Sequence, residues 1–282
     1  MPALVVCGVA VAGLLVAWRG RTGVRLWVAV AGAVAIWTAT QVVAIGPSPP
    51  RDAEPTLRVM MWNMFNDHLT GPNAERLTDL FAATQPDVVL LIEAGLGHDA
   101  GGYSADGWRR RAPGYEPDWL RNRFMQLTRT GRPAAERLPD LDLPVGGYSR
   151  VLRLAVTGAA GESQPITVIL LHPNSQPTWD RSAVFAAACE QVLAYADAGP
   201  TIFCGDLNLP AESSHLDPLR GAMRRAAAAA PGWHFLPTWP TPVPVLTLDQ
   251  FWVSEHFAVH AATSPYTLAS DHQPVVVDLS LR

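Results

Sequence analysis

From residue 57 onward the chain consists of short apolar runs, and run after run ends in a polar side chain able to bind a cation or move a proton. Asn63 follows the run 57–62, Glu93 follows 88–92, and His172 follows 166–171. Asp206 and Asn208 come just after 201–204, and Asp271-His272 stand before 275–279. Apolar runs of this length, bounded by turn residues, predict buried strands. Strand ends in a sheet protein meet along one edge, so groups far apart in sequence can share a rigid site there. This placement constrains the fold more than any bulk property does.

The segments between the runs set the class. Residues 73–84 carry Leu77, Leu80 and Phe81 at helical spacing, with Pro86-Asp87 after them. Residues 180–197 place Val184, Ala187, Ala188, Val192 and Tyr195 on one helical face before Gly199-Pro200. A hairpin is predicted from 151–157 and 166–171 around the turn 158–161. A third helix is predicted from Asp217-Pro218 through Leu219 and Met223 to Pro231-Gly232, followed by strands at 248–253, 257–262 and 275–279. Between residues 95 and 147 Gly, Pro and Arg break the rhythm, and only one strand, 124–128, is predicted. The periodicity by itself gives a mixed α/β domain.

The N-terminal part is of another kind. Residues 2–45 contain no Asp or Glu and three basic residues, Arg19, Arg21 and Arg25, between apolar stretches at 2–18 and 26–45. The second stretch has about the 20 residues needed to cross a bilayer. We expect an N-terminal transmembrane helical hairpin over residues 1–46, a membrane anchor whose arginine loop favours the cytoplasmic side. That topology puts the rest of the chain outside the cytoplasm, on the outer face of a bacterial inner membrane, and it holds if only the second stretch spans. A cleaved signal peptide would want a basic start that Met1-Pro2-Ala3 lacks, and a buried hairpin of a soluble protein rarely lacks acids for so long. Residues 47–56 are Pro-rich and predict an extended linker.

Beyond Ile45, 18 arginines face 25 acids, a formal charge of −7, and there is no lysine. Bulk nucleic-acid binding is disfavoured by that balance, and P-loop or Schiff-base lysine chemistry is excluded. Cys7, Cys189 and Cys204 have neither zinc nor disulfide spacing and are expected to pack. The acids and amides at the strand ends supply oxygen, which suits a hard divalent cation such as magnesium.

Six motifs, Leu57-Arg-Val-Met-Met-Trp-Asn63, Pro86-Asp-Val-Val-Leu-Leu-Ile-Glu93, Leu171-His172, Gly205-Asp-Leu-Asn208, Leu248-Asp249 and Ser270-Asp-His272-Gln-Pro, stand in that order. Together they resemble the endonuclease/exonuclease/phosphatase superfamily over residues 57–281. The resemblance implies that residues 57–282 form a catalytic domain, a two-sheet β-sandwich flanked by helices in four α/β/β/α layers. It also implies a divalent-metal-dependent hydrolase of phosphoester bonds. In that reading Glu93 is the principal ligand of Mg2+ or Mn2+, with Asn63 and Asp271 nearby in the metal and phosphate shell. Asp206 and Asn208 orient the attacking water and the phosphate, His172 and His272 flank the phosphorus, and Asp249 fixes the tautomer of His272.

The chain also departs from the family pattern. Ala94-Gly95-Leu96 follow Glu93 where nuclease members often place a basic residue, and Gln250 stands where many relatives carry His. Tyr103, Tyr115 and Tyr148 fill a region in which relatives keep another substrate residue, without a clear match. Three readings remain: a membrane-anchored phosphodiesterase or phosphatase, a nuclease on the same scaffold, and a catalytically silent binding module. The second is disfavoured by the acidic domain and the third by the competent residue at every recognised position. Plainer roles exist residue by residue: turns for Asn63 and Asp206, a solvated face for Arg109 to Arg111, and core packing for Trp62, Trp119, Trp179 and Trp252.

Overall fold

The computed structural model describes residues 44–46, 55–65, 72–94, 105–120, 124–157, 161–176 and 178–282. The two apolar stretches expected to form the hairpin, and most of the linker, lie outside these residues apart from Ala44–Gly46. Those three form a short strand, β1, so Ala44 and Ile45 at the end of the second stretch are extended rather than helical. No helix among the described residues is long and apolar enough to cross a membrane.

Strands β2 (Leu57–Asn63) and β3 (Val88–Ile92) are joined by helix α1 (Pro72–Thr84). Helix α2 (Ala105–Arg111), β4 (Tyr115–Trp119), β5 (Met125–Arg129) and β6 (Glu136–Leu138) follow. Next come the long hairpin β7 (Gly147–Thr157) and β8 (Ser163–Pro173), helix α3 (Ser182–Ala198) and β9 (Thr201–Asp206). A 3-10 helix (Ser214–Gly221), β10 (Met223–Arg225), the single-turn α4 (Ala226–Ala229) and β11 (Gly232–His234) lead to β12 (Asp249–Ser254), β13 (Phe257–Thr263) and β14 (Val275–Leu281).

The expected third helix is therefore corrected to a 3-10 helix, an edge strand and one helical turn. Pro218 inside the first segment denies the donor that an α-helix would use there, and the Met223–Arg225 backbone finds its partners on β12 instead. Between residues 95 and 147 the structure adds α2, β4 and β6 to the expected strand, all too short or too polar to show a periodicity.

Two six-stranded sheets face each other, β13-β14-β2-β3-β5-β4 and β10-β12-β9-β8-β7-β6, and β1 pairs with β11 in a separate two-stranded ribbon. Each large sheet has the same pattern, one parallel pair at its centre (β2/β3 and β8/β9) and antiparallel neighbours on both sides. Alternation along the strands builds three cores. Val59, Met61, Leu90 and Ile92 meet Val168, Leu170, Ile202 and Cys204 between the sheets. Met60, Trp62, Val89 and Leu91 point the other way, onto Leu77 and Phe81 of α1 and Trp108 of α2. Ile169, Leu171, Phe203 and Trp252 pack on Phe185, Ala188 and Val192 of α3 and on Leu216 and Leu219. These are the four layers that the resemblance implies, with β2, β3, β9 and β12 buried on both faces. Cys189 and Cys204 are buried and free, and burial raises both thiols, Cys189 to about 11.

Candidate active site

The carboxyl ends of the two central parallel pairs lie at one edge of the sandwich. Asn63 is the last residue of β2 and Glu93 the first after β3, while His172 is the last but one of β8 and Asp206 the last of β9. Because β12 runs antiparallel to β9, its first residue, Asp249, is the register partner of Asp206. Asp271 and His272 come from the loop entering β14, whose Val275 lies opposite Met61. All eight residues singled out in the sequence belong to one connected group, with Asn208 two residues beyond Asp206.

Asp206 is its centre. Its Oδ2 accepts from Asn63 Nδ2 at 2.8 Å, and its Oδ1 accepts from the Asn208 backbone N–H at 3.0 Å. A buried hydrogen bond to a charged acceptor contributes about 1.5–3 kcal/mol, enough to fix the Asn63 amide in one orientation. Asn63 Oδ1 in turn accepts from Phe65 N–H, and Asn208 Nδ2 donates to Pro173 O. Two imidazoles flank Asp206 Oδ2, His172 Nδ1 at 3.8 Å and His272 Nε2 at 3.9 Å. Each is held from behind by its own carboxylate: His172 Nε2 by Glu93 Oε1 at 2.9 Å, and His272 Nδ1 by Asp249 Oδ2 at 2.6 Å.

These pairings set the charges. Burial opposes a proton on His272, but Asp249, with Asp206 and Asp271 behind it, raises its pKa to about 9. Burial likewise raises Asp249, so the pair keeps its proton. At His172 burial again opposes the charge, and the hydrogen bond to Glu93 with the nearby Asp206 carboxylate raises the pKa overall. Two buried polar atoms of this group, His172 Nδ1 and Asp249 Oδ1, have no hydrogen-bond partner among the described residues. His172 Nδ1 is the ring atom nearer Asp206, so a substrate or water oxygen there would satisfy it.

The local backbone shows what this placement costs. Phe65, Glu93 and Asn208 adopt positive φ values of 50°, 52° and 52°; among the described non-glycine residues Gln85 alone joins them. Such conformations cost about 1–3 kcal/mol each and collect at functional sites. Gly205 answers a different need: a Cβ there would lie 1.9 Å from Leu171 O. Only glycine lets β9 pass so close to β8 and deliver Asp206.

The sequence reading missed a strap, residues 238–248, that crosses this edge. Thr238 Oγ1 accepts from the backbone N–H groups of Leu248 and Asp249, Trp239 Nε1 donates to Asp271 Oδ2 at 3.3 Å, and Thr241 N–H donates to Asp271 O. Ser270 Oγ donates to Asn63 O and accepts from His272 N–H, tying the β14 loop to β2. Trp239 beside two prolines was the available signal, but indoles are more often core than polar clamps. Several other candidates have structural roles, and Tyr103 lies outside the described residues. Arg109 pairs with Asp106 and Glu116 on an exposed face, Tyr115 donates to Pro86 O, and Trp62 and Trp252 are buried. Gln250 donates to Leu209 O from inside the protein.

Asp206, Asp249 and His272 bring ligand atoms within 4.8 Å of one another and form a group able to hold a metal ion. Glu93, Asn63 and Asp271 stand at the same edge and bring oxygen atoms to it.

Residues 60–272 match the Endonuclease/Exonuclease/phosphatase family, and the chain belongs to it. A comparison with curated proteins finds no match. Among solved structures, the human Nocturnin catalytic domain with bound sulfate aligns with a TM-score of 0.58 at 20% identity, covering 82% of this chain and 96% of that one. The Bacteroides thetaiotaomicron mannosyl-6-phosphatase aligns at 0.57 and 14%, covering 80% and 100%. D. rerio TDP2 complexed with single strand DNA product aligns at 0.58 and 16%, covering 81% and 100%. At these identities the likeness is one of fold.

Proposed function

We propose that the chain is a divalent-metal-dependent hydrolase of phosphoester bonds, with phosphodiesters as the preferred class, anchored in the membrane through residues 2–45 with the catalytic domain outside the cytoplasm. The observation that carries the chemistry is Asp206, set between two imidazoles that are each backed by a separate carboxylate. The names of the aligned structures, a phosphatase and a protein bound to a DNA product among them, agree with phosphoester hydrolysis.

In this reading Glu93, Asn63 and Asp271 hold Mg2+ or Mn2+. Their oxygen donors fit a hard ion, whereas the tighter group would bring in the His272 ring nitrogen, which suits softer metals. Bound there, the ion supplies Lewis-acid stabilisation of charge on the phosphoryl oxygens. The chain's own groups do the rest. Asp206, steadied by Asn63 and by the Asn208 N–H, orients a water toward phosphorus. His172 Nδ1 and His272 Nε2 contact phosphoryl oxygens and move protons, with Nδ1 of His272 fixed by Asp249. Water adds to phosphorus, the P–O ester bond breaks, and the alcohol leaves with a proton.

A nuclease is less well supported. Ala94 follows Glu93 at a buried position, and the domain is acidic. The test is a phosphoester panel, mono- and diesters with and without nucleobases, run with magnesium, with manganese and in chelator. Diester turnover that the chelator abolishes is expected; full activity in chelator would end the reading.

A further inference from the structure

Among the described residues eight large hydrophobic side chains are exposed, and every one is on a segment at the catalytic edge. Phe65, 60% exposed, stands two residues after Asn63. Tyr148 is the cross-strand partner of His172, and Val145 lies in the turn just before it. Trp179 lies across Gly146, its ring 2.9 Å from where a Cβ would sit, so a side chain at residue 146 would displace it. Val243 and Leu246 belong to the strap that holds Asp249 and Asp271. Tyr266, 61% exposed, and Leu268 come directly before Ser270. The opposite edge is charged: Arg58 pairs with Asp278 at 2.5 Å and Arg132 with Asp87 at 3.0 Å. Exposed hydrophobics scattered singly need no explanation, but their confinement to one functional rim does.

We propose that this rim receives the hydrocarbon part of an amphiphilic phosphoester, so that the substrate carries at least one acyl or alkyl chain beside the phosphate. The inference rests on the phosphoester reading and names its substrate class. Charge points the same way. A nucleic-acid chain wants cations along its path, whereas Arg181, near this edge, donates to the carbonyls of Asn174 and Gln176. So does chain direction. The apolar stretch 26–45 runs into β1, whose Ala44 pairs with His234, and Thr238 follows four residues later. Four extended residues span at most about 14 Å. The catalytic rim thus stands close to where the apolar stretch reaches the domain, as an enzyme drawing substrate from a bilayer surface requires.

The test uses the full chain in maltoside micelles, which hold no competing phosphoester, and a series of glycerol-based phosphodiesters that are chain-free, butanoyl or octanoyl. It compares wild type with the double variant Val145→Ser/Leu268→Ser, both at exposed positions outside the catalytic group and the strap. In wild type kcat/KM is expected to rise by about threefold per methylene that reaches the rim. The variant should lose about tenfold on the octanoyl ester while chain-free turnover is unchanged; because both proteins share the same micelles, partitioning cancels. Equal chain-length dependence in the two proteins would overturn the inference. A second arm separates it from the phosphoester reading: calorimetric binding of methyl-, butyl- and octylphosphonate needs no turnover. Chain-dependent binding that the variant loses, with no ester hydrolysed, would sink the hydrolase and keep the rim. Chain-independent binding would sink the rim alone.

Discussion

Asp206 and Asp249 are register partners across β9 and β12, so two buried acids stand side by side at the end of one ladder. Their neighbours keep them apart chemically, since Asp206 is tied to the Asn63 amide and Asp249 to the His272 ring. We expect Asp206→Asn to lower kcat by about a thousandfold or more, a loss of about 4 kcal/mol in the transition state, while the metal still binds. Glu93→Gln should instead weaken metal binding directly. Calorimetric metal titration beside steady-state rates separates the two, and wild-type rates for Asp206→Asn would refute the assigned role.

The raised pKa of His272 makes stability depend on pH. Its folded value is about 9 against an ordinary 6.5, so the contribution is fully present below about pH 6.5 and is lost as pH rises through about 9. Urea unfolding of chelator-treated protein should show stability falling across that window, with Asp249→Asn flattening the fall. A fall of the same size in the variant would contradict the pairing.

Gly205→Ala should destabilise by about 3 kcal/mol or more, because backbone must move to relieve a 1.9 Å approach. The displaced end of β9 carries Asp206, so activity should fall further than unfolding accounts for. Thermal and urea denaturation, with rates measured well below the transition, distinguish the two losses.

Trp239→Phe keeps the ring and removes the donor to Asp271 Oδ2. One hydrogen bond at 3.3 Å is worth about a tenfold effect at most, expected as a higher metal concentration for half-activation with little change in saturated kcat. An unchanged metal requirement would show that Asp271 does not depend on the indole.

The arginine loop between the two apolar stretches predicts that a C-terminal reporter which works only outside the cytoplasm will be active. Activity confined to a cytoplasmic reporter would reverse the topology.

Where residues are buried on both faces, as in Val88–Ile92 or Thr201–Asp206, an unbroken apolar run announces the strand, and the polar residue at its end announces the site. The positions of Asn63, Glu93, His172, Asp206 and His272 were legible for that reason, whereas Asp249 came in through the family resemblance alone. Pairing between the Arg153 and Glu136 side chains across β6 and β7 is not, because β6 is a short, polar edge strand whose partner lies beyond a loop. Met223–Arg225 read as helix together with the alanines after them, but a free sheet edge on β12 takes them as β10 and leaves only Ala226–Ala229 helical. The strap's Thr238 and Trp239 act through distances that no spacing in the chain records.

Three hydrogen bonds of the site cross from one sheet to the other: Asn63 to Asp206, Glu93 to His172 and His272 to Asp249. They are stitches over a seam. Packed sheets lie about 10 Å apart, a gap set by the side chains between them, so Met61, Leu90, Leu170 and Cys204 act as the shims of the catalytic edge. Shaving one of them would let the lips of the seam slide, and the chemistry would register that slackness well before the protein came apart.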